Sequence, residues 1–231
     1  MAQNEREKVL ATVTKYGYDL MYASPELRSD REIVMAAVKN MGPALEYASP
    51  ELQADREIVM AAILSDVTDI SGEKLGGLAL EYASPDLQAD RDIVLAAVKA
   101  HGMALHFASP ELQADREFVL AAVSSQGQAL KYASPELKAD REIVLAAVNR
   151  YAWALRFASP ELKADREIVL AAVNSQGGAL SYASPELQAD REIVLTAVNS
   201  NFKYALRYAS PELQAELKGK TPKEIKNLLL E

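Results

Sequence analysis

The 231-residue sequence contains no cysteine, so disulfides, thiolate nucleophiles and cysteine-ligated zinc are excluded. Histidine is nearly absent. The two copies, His101 and His106, stand five apart, not at the i, i+4 spacing that lets a helix present two ligands to one metal. No apolar run approaches the roughly 20 residues that span a bilayer. Met1 to Lys8 is polar and charged, so no signal peptide is expected. Positive charge is in deficit: 33 acidic against 25 basic side chains give a net charge of −8, the wrong sign for displacing counterions from phosphates. Glycine-rich phosphate loops, nucleophile elbows and Ser/His/Asp sets are missing too. The expectation is a soluble, cytoplasmic, non-enzymatic chain that needs no cofactor or metal and binds neither nucleic acid nor membrane.

What is present is repetition. Tyr/Phe-Ala-Ser-Pro-Glu/Asp-Leu occurs eight times, with prolines at 25, 50, 85, 110, 135, 160, 185 and 211. Asp-Arg-Glu/Asp followed by an apolar run begins at Asp30, Asp55, Asp90, Asp115, Asp140, Asp165 and Asp190, and Glu5 to Leu10 is an eroded earlier copy. The unit is 25 residues long, with a ten-residue insertion within 64–76 and one extra residue near Phe202 to Tyr204. Periods of this length signal stacked repeats.

Each unit reads as two short helices. Asp140 is a good N-cap. Ile143 to Val148 then runs apolar without a break, and a helix apolar all round must be covered on most sides. A connector follows, with Gly17, Gly42, Gly102, Gly127 or Gly177 at the same place in most units, which suits a helix end with positive φ. The second helix carries Ala154, Leu155, Phe157 and Ala158 inward and Arg156 outward. It stops at Ser159 because proline disfavours helical geometry in the residue before it, and Ser159 caps a further turn that starts at Pro160. Isolated helices shorter than about 12–15 residues are marginal in water, so stability must come from stacking. The predicted fold is all-α: a single α-solenoid domain of about eight 25-residue two-helix repeats. Residues 5–29 form a degenerate N-terminal capping repeat in which Lys8 and Thr12 replace Ile33 and Ala37, 30–215 carry the remaining repeats, and 216–231 form a C-terminal cap helix. Thr221-Pro222-Lys223-Glu224 opens that last helix as a capping box.

The phrase Asp-Arg-Glu-Ile-Val-Leu-Ala-Ala-Val followed by Gly-x-Ala-Leu-x-Tyr-Ala-Ser resembles the repeat family catalogued as domain of unknown function 4116, over nearly the whole chain. The resemblance implies a tandem array and carries no catalytic or binding residues with it. The copies are unusually uniform, as recent duplication or a designed consensus array would make them.

Four features invite a functional reading. The aromatic column, Tyr22, Tyr47, Tyr82, Phe107, Tyr132, Phe157, Tyr182 and Tyr208, lacks a hydroxyl at two places, so core packing is expected of it. The arginine column (Arg31, Arg56, Arg91, Arg116, Arg141, Arg166, Arg191) opposes the helix dipole. A ladder of ion pairs to adjacent repeats should compensate, for example Glu136 or Glu142 beside Arg166. The insertion cannot be a calcium loop, because Val67 and Ile70 stand where oxygen ligands are required; it reads as a helix extension plus a loop. His101 and His106 occupy freely varying positions, so both are expected at the surface.

Positions that differ between copies are free to carry function. They fall at the outward place of the second helix (Met21, Glu46, Glu81, His106, Lys131, Arg156, Ser181, Arg207) and in the connector (Tyr16, Tyr18, Met41, Met103, Tyr151, Trp153, Phe202, Tyr204). Stacked in register, both lie on one edge. Aromatic side chains with arginines nearby suit a protein or peptide partner. The candidate residues are Tyr16, Tyr18, Met103, His106, Lys131, Tyr151, Trp153, Arg156, Phe202, Tyr204 and Arg207. The structural alternative is that Trp153 and Tyr204 only fill gaps. Two functions follow: an interaction scaffold using this edge, or a structural protein that self-assembles as a homo-oligomer or filament through its ends.

Overall fold

The computed structural model describes residues 2–70, 72 and 74–230, without the side chains at 2, 201–204, 222, 226, 229 and 230. The chain divides into two compact halves, Met1–Ser125 and Gln126–Glu231. Both are all-helical and show the same repeated pattern.

Within a repeat the first element is a ten-residue α-helix, as in Arg31–Asn40 and Arg141–Arg150. The Asp30 carboxylate accepts hydrogen bonds from the Glu32 and Ile33 amides, satisfying donors that a helix start leaves open. Ile33, Val34, Ala37 and Val38 are buried, whereas Met35 and Ala36 stay half exposed. An unbroken apolar run therefore does not mean a helix covered on all sides.

The second element is a helix, but a 3-10 helix of six residues, as in Gly42–Tyr47 and Ala152–Phe157. Runs of this kind are seldom so long. In the repeats that have glutamine at the end of the following turn, its side chain supports the run. Gln53 Nε2 donates to the carbonyls of Leu45 and Glu46 at 3.1 and 3.2 Å, and Gln88 does the same for Leu80 and Glu81. A short helix from proline to glutamine or lysine then completes the repeat, as in Pro50–Gln53 and Pro160–Lys163. Ser159 caps the latter as expected, accepting from the Leu162 amide.

The connector glycines do not have the positive φ that the sequence suggested. Among the described residues, only Gly72 and Gly219 do. The long helix ends instead on one extended residue, Met41 (φ −145°, ψ 96°) or Tyr151 (φ −153°, ψ 100°). Glycine is needed for close approach. A Cβ on Gly42 would lie 2.3 Å from the Ala62 carbonyl oxygen, and one on Gly127 would lie 2.3 Å from that of Ala147. In both cases the carbonyl belongs to the long helix of the next repeat. The Gly17 amide uses the same proximity to donate to Asn40 Oδ1 at 2.7 Å, and Gly42 donates to Ser65 Oγ at 3.1 Å.

Charge ties the repeats together a second time. Arg6 binds Asp30 at 2.7 Å and Glu32 at 2.6 Å, and Arg91 binds Asp115 at 2.6 Å and Glu117 at 3.0 Å. In the second half Arg141 binds Asp165 at 2.9 Å and also Glu167, while Arg166 takes Asp190 at 2.6 Å and also Glu192. The expected ladder is present, but it points forward. The partners of Arg166 lie in the following repeat, not at Glu136 or Glu142. The Arg6 guanidinium holds the Asp30 carboxyl below the usual aspartate range, with burial opposing. A third tie is backbone to backbone. The Ser49 amide donates to the Arg28 carbonyl, Ser109 to Gln88 and Ser184 to Lys163, at 2.9–3.0 Å.

Two repeats depart from the pattern. Helix Arg56–Ile63 has eight residues instead of ten, so the insertion shortens the helix and does not extend it. The loop that follows closes with a Thr68–Lys74 bridge and an Asp66–Lys74 ion pair of 2.7 Å. The shortened end opens a cleft of about 610 Å³ beside Leu64, Lys74, Leu95 and Lys99. In the last full repeat, which has the extra residue and no glycine, the long helix and the 3-10 helix fuse into one helix, Arg191–Tyr208. Helix Pro222–Leu230 packs on it, burying Ile225. The capping box forms, with the Thr221 amide donating to Glu224 Oε2 at 2.7 Å. In the first repeat Lys8 and Thr12 are exposed, as a wettable face requires.

Replacing Gly127 with alanine should cost about 1–3 kcal/mol, the range for overpacking, because the new methyl meets backbone. Gln128→Ala, one residue on and exposed, should stay within about 0.5 kcal/mol. Urea unfolding followed by circular dichroism measures both. Equal costs would contradict the close-approach explanation.

Candidate variable-edge site

The 3-10 helix determines where the variable residues go. In Gly42–Tyr47 the Ala44 and Leu45 side chains are buried, Glu46 is exposed and Tyr47 is half-buried. The same order gives exposed His106, Lys131, Arg156 and Arg207, each followed by a half-buried aromatic ring. The aromatic column is therefore a flank and not the core expected of it. Each ring ends its helix, and all but Tyr22 are half-buried. Tyr22, in the first repeat, is 78% exposed.

In residues 1–125, Tyr16 and Tyr18 are exposed. Tyr18 sets its edge against Tyr47 with ring centroids 6.3 Å apart, and Lys15 lies over the Tyr16 ring at 5.1 Å. Met103 is half-buried, and His106 tilts against Phe107 at 5.0 Å. His101 is not a surface residue. It is buried, its Cβ passing close over Gly77.

In residues 126–231, Lys131, Arg156 and Arg207 each lie over the ring that follows them, at 5.2, 4.3 and 5.8 Å from Tyr132, Phe157 and Tyr208. These are cation–π contacts made within the chain. Tyr151 and Trp153 are half-buried. Trp153 packs edge-on to Tyr182 with centroids 6.0 Å apart, and its ring fills the space over Gly178, where a Cβ would come within 2.7 Å of it. Trp153 does fill a gap, and the gap is the absent side chain of the next repeat. The side chains of Phe202 and Tyr204 lie outside the described residues.

The structure thus pairs the second residue of one 3-10 helix with the aromatic of the next, Tyr18 with Tyr47 and Trp153 with Tyr182. Sequence reasoning missed Tyr47 and Tyr82 as edge residues. Their residue type fits a core and a flank equally well, and only their place at the helix end separates the two. Among the described residues no group of three or more His, Cys, Asp or Glu is placed to hold a metal ion. No described helix is long and apolar enough to cross a membrane.

Trp153 is the sole tryptophan, so its emission reports this contact alone. Gly178→Val should turn the ring outward and shift the emission maximum to the red. An unchanged spectrum would contradict the packing described.

The model of the family described as a domain of unknown function, DUF4116, matches residues 5–53, 37–71, 74–113, 115–163 and 165–214. No curated protein and no solved structure matches the chain. With its helical repeats and matched segments running in tandem from residue 5 to residue 214, the chain belongs to the DUF4116 family.

Proposed function

We propose that this chain is a non-catalytic interaction scaffold, an α-solenoid of about eight 25-residue repeats that binds a protein or peptide partner through its variable edge. One observation carries the reading. Residues that repeat cap helices and join repeats, while the variable residue before each helix-end aromatic is exposed in six repeats: at Glu46, Glu81, His106, Lys131 and Arg156 on 3-10 helices, and at Arg207 on the fused helix. Asp30, Asp55 and Asp165 cap helices and accept arginines, and Gln53 and Gln88 hold carbonyls. Glu46, Glu81, His106, Lys131, Arg156 and Arg207 are exposed. A tandem array thereby presents a row of side chains that changes while its support stays constant, as extended repeat proteins do. The proposed surface of residues 1–125 also takes in Tyr16, Tyr18 and Met103, and that of residues 126–231 takes in Tyr151 and Trp153; Phe202 and Tyr204 are candidates by sequence alone. No described group breaks the repetition in a chemically useful way, which favours a binding role over an enzymatic one.

Self-assembly is the second reading. It draws on the open face of the first helix, where Val9, Val13, Tyr22 and Ala23 border a cleft of about 270 Å³.

The experiment is selection of binders from a random peptide library, followed by hydrogen-exchange mapping of the complexes. Protection should fall on the 3-10 helices and their connectors, and Trp153→Ala with Arg156→Ala should weaken ligands mapped to 151–157 at least tenfold, on the order of a hot-spot loss, with helicity retained. Protection confined to the long helices would refute the edge as the binding surface.

A further inference from the structure

The same column of rings is treated differently in the two halves. In residues 126–231 three of the four rings already hold cations: Lys131 on Tyr132, Arg156 on Phe157 and Arg207 on Tyr208; the fourth, Tyr182, packs against Trp153. In residues 1–125 the equivalent neighbours are Met21, Glu46, Glu81 and His106, and the two middle repeats thus carry an exposed carboxylate beside the ring. Among the described residues no cation lies over Tyr18, Tyr47 or Tyr82. Two basic groups of the first repeat are engaged elsewhere, Lys15 on the Tyr16 ring and Arg28 on the carbonyls of Met21 and Ala23.

These side chains form one face. Tyr18 touches Tyr47, and the 3-10 helices Gly42–Tyr47 and Gly76–Tyr82 pack directly on each other despite the insertion between them in sequence. Burial, then Glu81 and Glu46, push the Tyr82 phenol up to about 12. Burial and Glu46 raise that of Tyr47. The face is aromatic, partly desolvated and negative.

We propose that the face formed by Tyr18, Tyr47, Tyr82, Glu46 and Glu81 binds an extended basic segment of a partner protein, its arginine or lysine side chains lying between ring and carboxylate. This rests on the scaffold reading and gives part of the edge a ligand chemistry. A guanidinium stacks on the ring while it pairs with the neighbouring carboxylate, so both attractions reach one cation. Packed helices lie about 8–10 Å apart and an extended chain rises about 3.3 Å per residue. Basic residues three apart would therefore meet Glu46 and Glu81 in turn.

The test is fluorescence anisotropy with the intact chain and a labelled glycine–serine peptide carrying arginine at every third position. The peptide should bind, more weakly as salt is raised. Glu46→Arg with Glu81→Arg should weaken it at least about tenfold, and the same charge change at exposed Glu161 and Glu186 should alter it by less than about twofold. Tyr47→Leu with Tyr82→Leu should weaken it about fivefold or more with no charge altered. Absence of binding, or equal loss from both charge-swapped pairs, would overturn the proposal. If the arginine peptide fails while library-selected peptides still protect the 3-10 helices, the basic ligand is wrong and the scaffold reading stands. If neither binds there, both fall.

Discussion

The aspartate at the head of each long helix is the interaction on which the rest depends. It closes the start of its own helix through backbone amides, and it receives the arginine of the repeat before. One side chain thus joins local structure to stacking. The arginine that seems misplaced in a helix's first turn is explained by the same bond, because its charge is neutralised by the following repeat and not by its own. The glycine–carbonyl approach and the serine-amide bond fix the spacing at two further points of the same interface. Ion pairs this exposed are individually weak. Their importance lies in recurring at each interface, beside a core of Ile33, Val34, Ala37 and Val38 and their equivalents.

The repeat, the helices, the caps and the ladder were legible in the sequence because each rests on a residue type with a narrow structural use. Aspartate before an apolar run and Thr-Pro-Lys-Glu formed the caps they announced, and serine before proline did so at Ser24, Ser159, Ser184 and Ser210 but not at Ser49, Ser84 or Ser109. Glycine misled, since close approach and positive φ select the same residue and only the backbone angles distinguish them. The direction of the ladder was also hidden. Carboxylates occur both before and after each arginine, and only the placement of the following repeat's first turn decides between them. The insertion was misread because Leu64 continues the apolar pattern past the point where the helix ends at Ile63. The edge was legible as a set of variable positions but not as a surface. His101 varies and is buried; Tyr47 and Tyr82 repeat and are flanking.

That exchange shows why variation alone is an incomplete guide to function in a repeat array. A position can vary because its neighbour in the next repeat varies with it, as Trp153 does with Gly178. It can repeat and still be part of a binding surface when the variable residue beside it changes its character. Phe157 under Arg156 and Tyr47 beside Glu46 present different surfaces on the same scaffold.

The central claim is that the fold belongs to the interfaces and not to the repeats. Circular dichroism of a series of pieces containing one, two, three and more repeats, starting with residues 165–189 alone, tests it most directly. The single repeat should be largely coil, and helicity and resistance to urea should rise steeply as interfaces are added, as nearest-neighbour stabilisation requires. A single repeat that folds cooperatively on its own, with little gained from its neighbours, would contradict the account.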